Sequence, residues 1–238
     1  MICNYENTNP FILQSLNLAD NELRSVPVQA LRKLRLLRQL DLTNNKIKFV
    51  PDNAFVTLRL RTLKLGGNNN ITLSNNALRG LESSLKNLNL KGCHLKEVPG
   101  VALRNLKGLA FLDLAQNNIR KIDSGLMSGL DSLTALNLER NAIQKLQRDI
   151  FDGVNDTLSS LSLLNNLLTE YPIEAINAIK ELRVSYILKV FDSQCNPLHS
   201  CLMNINHKYH YGSYNLKLIS NLGSYDYTHV TYVSRYQL

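Results

Sequence analysis

His207 and His210, in the stretch HKYH, are spaced like two ligands on one helical face, and metal binding is the first chemistry such a pair suggests. No cysteine or carboxylate nearby completes a ligand set. The other histidines, His94, His199 and His229, are scattered, so surface imidazoles are the expectation. The chain has no GxSxG, glycine-rich phosphate loop or HExxH. No enzyme and no cofactor is expected.

Four cysteines in 238 residues, Cys3, Cys93, Cys195 and Cys201, are too sparse for the disulfide framework of a small secreted domain, although Cys195 and Cys201 are close enough to bridge locally. Asn70-Ile71-Thr72 and Asn155-Asp156-Thr157 are acceptor sequences for N-glycosylation, expected in connecting segments outside the strands. A formal charge of +8 suits acidic partners without dictating the fold.

These residues are positioned by one internal period. Leu-x-x-Leu-x-Leu occurs seven times, at Leu13/Leu16/Leu18, Leu37/Leu40/Leu42, Leu60/Leu63/Leu65, Leu85/Leu88/Leu90, Leu109/Leu112/Leu114, Leu133/Leu136/Leu138 and Leu158/Leu161/Leu163. The central leucines are 24, 23, 25, 24, 24 and 25 residues apart, the period of a stacked solenoid. Around each central leucine the alternation is two, which predicts a short strand, and parallel stacking of these strands makes a concave sheet. Asn21, Asn45, Asn68, Asn117, Asn141 and Asn166 follow each third leucine by three residues, with Cys93 in the fourth register. A buried carboxamide there can satisfy backbone groups of the adjacent coil. Pro27, Pro51, Pro99 and Pro172 recur on the irregular back, and Phe55, Leu103 and Phe151 are candidates for its apolar spine.

LQSLNLADNELRSVP, LRQLDLTNNKIKFVP and LKNLNLKGCHLKEVP resemble the typical, 24-residue subclass of leucine-rich repeats. The resemblance runs from residue 13 to about 183 and extends to arrays of the Slit, Toll and chaoptin type and to extracellular repeat-only proteins. It implies an α/β fold, a right-handed horseshoe of seven to eight repeats with a parallel concave sheet. It further implies a non-catalytic, protein-binding scaffold of the extracellular matrix or cell surface. VP followed by Ala-Phe or Ala-Leu favours that subclass over the shorter intracellular repeats; the alternative is an intracellular adaptor or regulatory subunit.

The domain plan reads as an N-terminal extension over 1–12, the solenoid over 13–183, a degenerate last repeat or cap fragment over 184–202 and a divergent tail over 203–238. That tail and the strand before it hold eight of the ten tyrosines. KELRV opens as another regular repeat would; an alternative grid sets Leu188, Phe191, Ser193 and Asn196 on the repeat positions. Asn196-Pro197-Leu198 with Cys201 then resembles the start of a C-terminal cysteine cap, and beyond residue 203 either loose order or a hairpin is expected. No apolar run of spanning length and no export signal stands in the sequence as written, so the chain is expected to be part of a longer exported protein, or else cytoplasmic.

The concave positions form the default binding face, read as unconstrained side chains on a rigid scaffold. The candidate contacts are Asp41, Lys64, Asn89, Phe111, Asp113, Asn137 and Glu139, with Phe111 as the exposed aromatic. Lys64 and Lys91 against Asp41, Asp113 and Glu139 leave the face nearly neutral, which suits a protein ligand better than a polyanion; an ordinary solvated sheet is the alternative. Nucleic acid is not expected. Arg24, Lys48, Lys96 and Arg120, with Lys121 and Lys145 one place along, form a basic edge that either attracts a sulfated glycan or simply keeps the chain soluble.

Overall fold

The computed structural model describes residues 12–170, 172–180 and 182, together with the backbone of 184–186, 216–219 and 229–233. Its strands are β1 (Ser15–Asn17), β2 (Gln39–Asp41), β3 (Phe49–Val50), β4 (Thr62–Lys64), β5 (Thr72–Leu73), β6 (Asn87–Asn89), β7 (Phe111–Asp113), β8 (Ala135–Asn137), β9 (Ser160–Ser162), β10 (Val184–Tyr186), β11 (Leu216–Ile219) and β12 (His229–Val233). Three short helices lie between them: α1 (Val28–Leu31), α2 (Gly100–Leu103) and α3 (Ile173–Asn177). One sheet runs β1-β2-β4-β6-β7-β8-β9-β10-β12-β11, and β3 pairs with β5 in a second, smaller one.

Eight strands, β1 to β10 without β3 and β5, stack in parallel with the central leucines in register, Leu16 opposite Leu40 and so on to Leu161. This is the parallel-sheet solenoid that the period predicts. From the second coil on, the central leucines point inward and are buried, while their strand neighbours face the concave side. Backbone bonds continue the ladder past the strand ends, as from Leu42 N to Lys64 O at 2.9 Å.

Ser185 of β10 sits opposite Leu161, 24 residues on. The eighth coil therefore keeps the regular period through Leu182 and Ser185, and the strand does not take the alternative grid centred on Phe191. β12 joins β10 antiparallel and β11 joins β12, closing this end of the sheet with a reversed pair.

Behind the sheet each coil buries a spine residue: Leu31, Phe55, Leu78, Leu103, Met127, Phe151 and Ala175. Pro27, Pro99 and Pro172 stand immediately before α1, α2 and α3, where a fixed φ and a missing donor suit a first turn.

The turn after each strand has a fixed geometry. Asp20, Asn44, Gly67, Gly92, Gln116, Arg140 and Asn165, each just before the asparagine position, all adopt positive φ between 52° and 70°. Gly67 is required twice over, because a Cβ there would lie 2.0 Å from Asn44 Oδ1.

The asparagines behave as expected and bind two coils each. Asn117 Oδ1 accepts from Cys93 N (3.0 Å) and Leu95 N (2.9 Å), while its Nδ2 donates to Leu90 O (2.9 Å) and Leu114 O (2.9 Å). Asn68, Asn141 and Asn166 repeat the pattern from buried positions.

Candidate functional site

Three rows of side chains cross the concave face. The first is Ser15, Gln39, Thr62, Asn87, Phe111, Ala135 and Ser160; the second is Asn17, Asp41, Lys64, Asn89, Asp113, Asn137 and Ser162. The third lies just past the strands, where backbone bonds link Thr43, Gly66, Lys91, Ala115, Glu139 and Leu164 through their neighbours.

The second row is not a set of unconstrained side chains. Asn17, Asp41, Asn89, Asp113 and Asn137 each turn one side-chain oxygen back onto the amide two residues ahead, at 2.9 to 3.1 Å. Each bond ends its strand and starts the turn, as short Asx side chains do elsewhere. Four of the seven candidate contacts thus spend half their bonding capacity on the fold and keep one polar atom for a partner.

Asp113 lies deepest in this row and is 7% exposed. Burial pushes its carboxyl above the usual range; the Ala115 amide and the Lys91 ammonium pull it back in part, and Glu139 adds to the rise. Asn89 Nδ2 stands 3.5 Å from its second oxygen. Asp41 shifts the other way: burial alone would raise it, but the Thr43 hydroxyl and amide, with Lys64, outweigh burial and hold the carboxyl low.

Lys64 is committed to Asp41 at 3.0 Å, and Glu139 to the Arg140 guanidinium at 3.3 Å. These pairs keep the face near neutrality. Phe111 is half-buried rather than exposed, flanked in its row by Asn87 and by the much smaller Ala135.

Lys91 is the concave residue that the candidate set leaves out. It is exposed, forms no ion pair among the described residues, and stands between Gly66 and Ala115, neither of which projects beside it. The signal lay in the third row of the sequence, where one long cation separates two of the smallest residues.

The basic edge is discontinuous. Ile71 holds the equivalent place in the third coil and is buried, so Arg24 and Lys48 are separated from Lys96 and Arg120. Lys121 closes on Asp123 at 2.9 Å and Lys145 on Glu170 at 3.1 Å.

The two glycosylation sequences are not equivalent, nor are both outside strands. Asn70 is exposed and its Thr72 opens β5, on the smaller sheet; Asn155 is half-buried with Oδ1 enclosed and Nδ2 donating to Asp152 at 3.2 Å. His207, His210, Cys195 and Cys201 lie outside the described residues. No described helix is long and apolar enough to cross a membrane.

The family model for the leucine rich repeat matches residues 12–71 and 83–143. Fibromodulin from Sus scrofa is 44% identical over 69 residues, taking in 29% of this chain and 46% of the relative. Fibromodulin from Oryctolagus cuniculus is 42% identical over the same shares. The chain therefore spans just under half the length of the curated relatives it matches. Among solved structures, a crystal structure of a TLR13–ssRNA13 complex aligns with a TM-score of 0.67 and 34% identity, over 72% of this chain and 24% of that one. With matched models across half its length and a stacked parallel sheet built on the same leucines, this chain belongs to the leucine-rich repeat family.

Proposed function

We propose that the chain is a non-catalytic, protein-binding scaffold of the extracellular matrix or cell surface, and that it engages its partner through the concave face. The observation that carries this reading is the concave row itself: polar groups pinned to the backbone by their own hydrogen bonds, beside Phe111 and the uncovered Lys91. Such a surface loses little side-chain entropy on binding. The contacts are Asp41, Lys64, Asn89, Phe111, Asp113, Asn137 and Glu139, and the structure adds Lys91 to them.

The TLR13 structure is a complex with a single-stranded RNA. Here the concave charges are paired, Lys64 with Asp41 and Arg140 with Glu139, so a polyanion gains little there and a protein fits better. The extracellular setting rests on the VP-Ala-Phe type of repeat and on the exposed Asn70 sequon.

Two measurements test the reading. A photo-crosslinker at Phe111 or Lys91 is expected to capture one protein from the medium or cell surface, and one at Gln29 on the convex helix α1 is not; equal capture at all three sites removes the concave assignment. Expression of the full natural transcript in its own cells is expected to give an exported, glycosidase-sensitive product, whereas an unglycosylated cytosolic protein would make the chain an intracellular adaptor.

A further inference from the structure

The edge of the first two coils concentrates positive charge that the fold does not neutralise. Arg24, Lys46 and Lys48, with Asn45 and Asn69, line a depression of about 330 Å³. Arg24 and Lys48 hold the same position in adjacent coils, so their backbones are about 5 Å apart, the spacing of neighbouring strands. The Lys48 ammonium is fixed by a 2.7 Å bond to Asn69 O, leaving its other hydrogens for a ligand. The one carboxylate paired there is Glu22, which meets Lys46 at 2.8 Å from a solvent-exposed position.

Elsewhere on the same edge the charge is discharged. Lys121 and Lys145 each meet a carboxylate, and Ile71 breaks the column in the third coil. Like charges stacked this closely repel one another, and an anion between them turns that repulsion into attraction.

We infer that Arg24, Lys46 and Lys48 form a binding site for a linear sulfated glycan, separate from the concave face. Sulfate esters stay charged at every physiological pH, and the aliphatic stems of the three cations present a surface for the sugar rings. A single-stranded nucleic acid is the competing polyanion, and it needs aromatic platforms for its bases. No aromatic side chain lines the depression; Phe49, 51% exposed, follows Lys48 in β3 but lies outside it.

The test is a titration of the full chain with a size-defined heparin oligosaccharide and with an oligouridine of equal charge, at several salt concentrations. The oligosaccharide is expected to bind more tightly. The double variant Arg24→Ala/Lys48→Ala should weaken it about tenfold near 0.1 M salt and flatten the slope of log affinity against log salt by about 1.5, the release expected for two lost charge contacts. Lys121→Ala/Lys145→Ala should stay within about twofold of the parent, because those cations are already paired. Phe49→Ala and Lys91→Ala should leave oligosaccharide binding unchanged, which keeps this outcome separate from that of the concave site.

Three results overturn the assignment. Equal weakening by both double variants would mean that diffuse net charge is the attractant. Tighter oligouridine binding that Phe49→Ala abolishes would make the edge a nucleic-acid surface. No binding of either probe would mean that the cluster only solvates the edge.

Discussion

The thiol of Cys93 donates to the carbonyl oxygen of Leu65 across 3.3 Å, the place where one coil later Asn117 Nδ2 donates to Leu90 O at 2.9 Å. A thiol supplies the donor half of the asparagine's work and not the acceptor half. The backbone compensates: Ile71 N, which would have met the missing oxygen, bonds instead to Asn68 O at 3.2 Å.

Cys93 is fully buried, and burial pushes its thiol up to about 11, against weaker opposing bonds from the Asn68 and Gly67 amides. The native thiol is therefore expected to resist iodoacetamide at neutral pH and to react only on unfolding, read as modification of the Cys93 peptide by mass spectrometry. Because the folded value lies above the unfolded one near 9, the thiol's contribution to stability is whole below about pH 9 and is lost as pH rises through about 11. Cys93→Ala should cost about 1–2 kcal/mol below pH 9 through the lost bond and the cavity, and this difference should shrink toward pH 11. A Cys93 that alkylates rapidly in the folded chain would contradict the buried placement.

Asn117 makes five hydrogen bonds from a buried carboxamide, to Cys93, Leu95, Leu90, Leu114 and Ala115. Asn117→Ala leaves those backbone groups without partners in two coils, at about 1–3 kcal/mol for each group that water cannot reach, so a loss of about 3–5 kcal/mol is expected in denaturant titrations. Asn21→Ala should cost under about 1 kcal/mol, because Asn21 is exposed and bonds only within its own coil. Similar losses at the two positions would mean that the ladder does not link coils.

Asp41 and Asp113 share a row and titrate in opposite directions. The lowered Asp41 contributes stability above its ordinary range and loses it as pH falls through its depressed value, so Asp41→Asn should destabilise the chain at neutral pH. The raised Asp113 does the reverse: its contribution is present in acid and lost as pH rises through its elevated value. Asp113→Asn keeps an oxygen for Ala115 N and removes a buried charge. It is expected to stabilise the chain by about 1 kcal/mol at neutral pH, or about 2–4 °C in Tm, with the gain vanishing toward acid. A loss at neutral pH would show that the charge is held by a partner group and is not strained.

Gln116 occupies the turn at φ 56°, where two other coils place Gly67 and Gly92. Left-handed backbone costs a non-glycine residue about 1 kcal/mol, and Gln116 makes no side-chain hydrogen bond among the described residues to offset it. Gln116→Gly is expected to raise stability by about 0.5–1 kcal/mol, and Gly67→Ala to lower it by more, through its φ of 70° and the Asn44 contact. Thermal melts of the two variants moving in the same direction would refute this.

The leucine period located every strand centre through Leu161 because a side chain that faces inward must be apolar in each coil, whatever surrounds it. The asparagine column was legible for the same reason, since one buried geometry recurs unchanged. What escaped were relationships between rows. Phe111 is half-buried through packing with neighbouring strands, and the pairing of Lys145 with Glu170 depends on which flexible side chains meet 25 residues apart. The bonds that tie Asp41, Asn89, Asp113 and Asn137 to their own turns did leave a trace, an Asx residue in five of the seven coils, but binding and folding ask for the same residue types there.

Asn70 and Asn155 carry equal sequence signals and unequal surroundings. Asn70 sits in an open turn at φ 57°, its side chain free of hydrogen bonds among the described residues, and its Thr72 is exposed. Asn155 directs Nδ2, the atom a glycan must join, to Asp152 at 3.2 Å; its Oδ1 is enclosed, its backbone oxygen accepts from Lys180 N at 2.9 Å, and Thr157 is half-buried with its hydroxyl on Val154 O. A glycosyltransferase needs the sequon extended and accessible, and only the first offers that without unfolding a coil. Expressed through a secretory pathway, the chain is therefore expected to carry one glycan, with Asn70→Gln abolishing the glycosidase-sensitive mass and Asn155→Gln leaving it unchanged. Full occupancy at Asn155 would show that modification precedes the closure of the coil around Val154, a statement about the order of folding that the finished structure conceals.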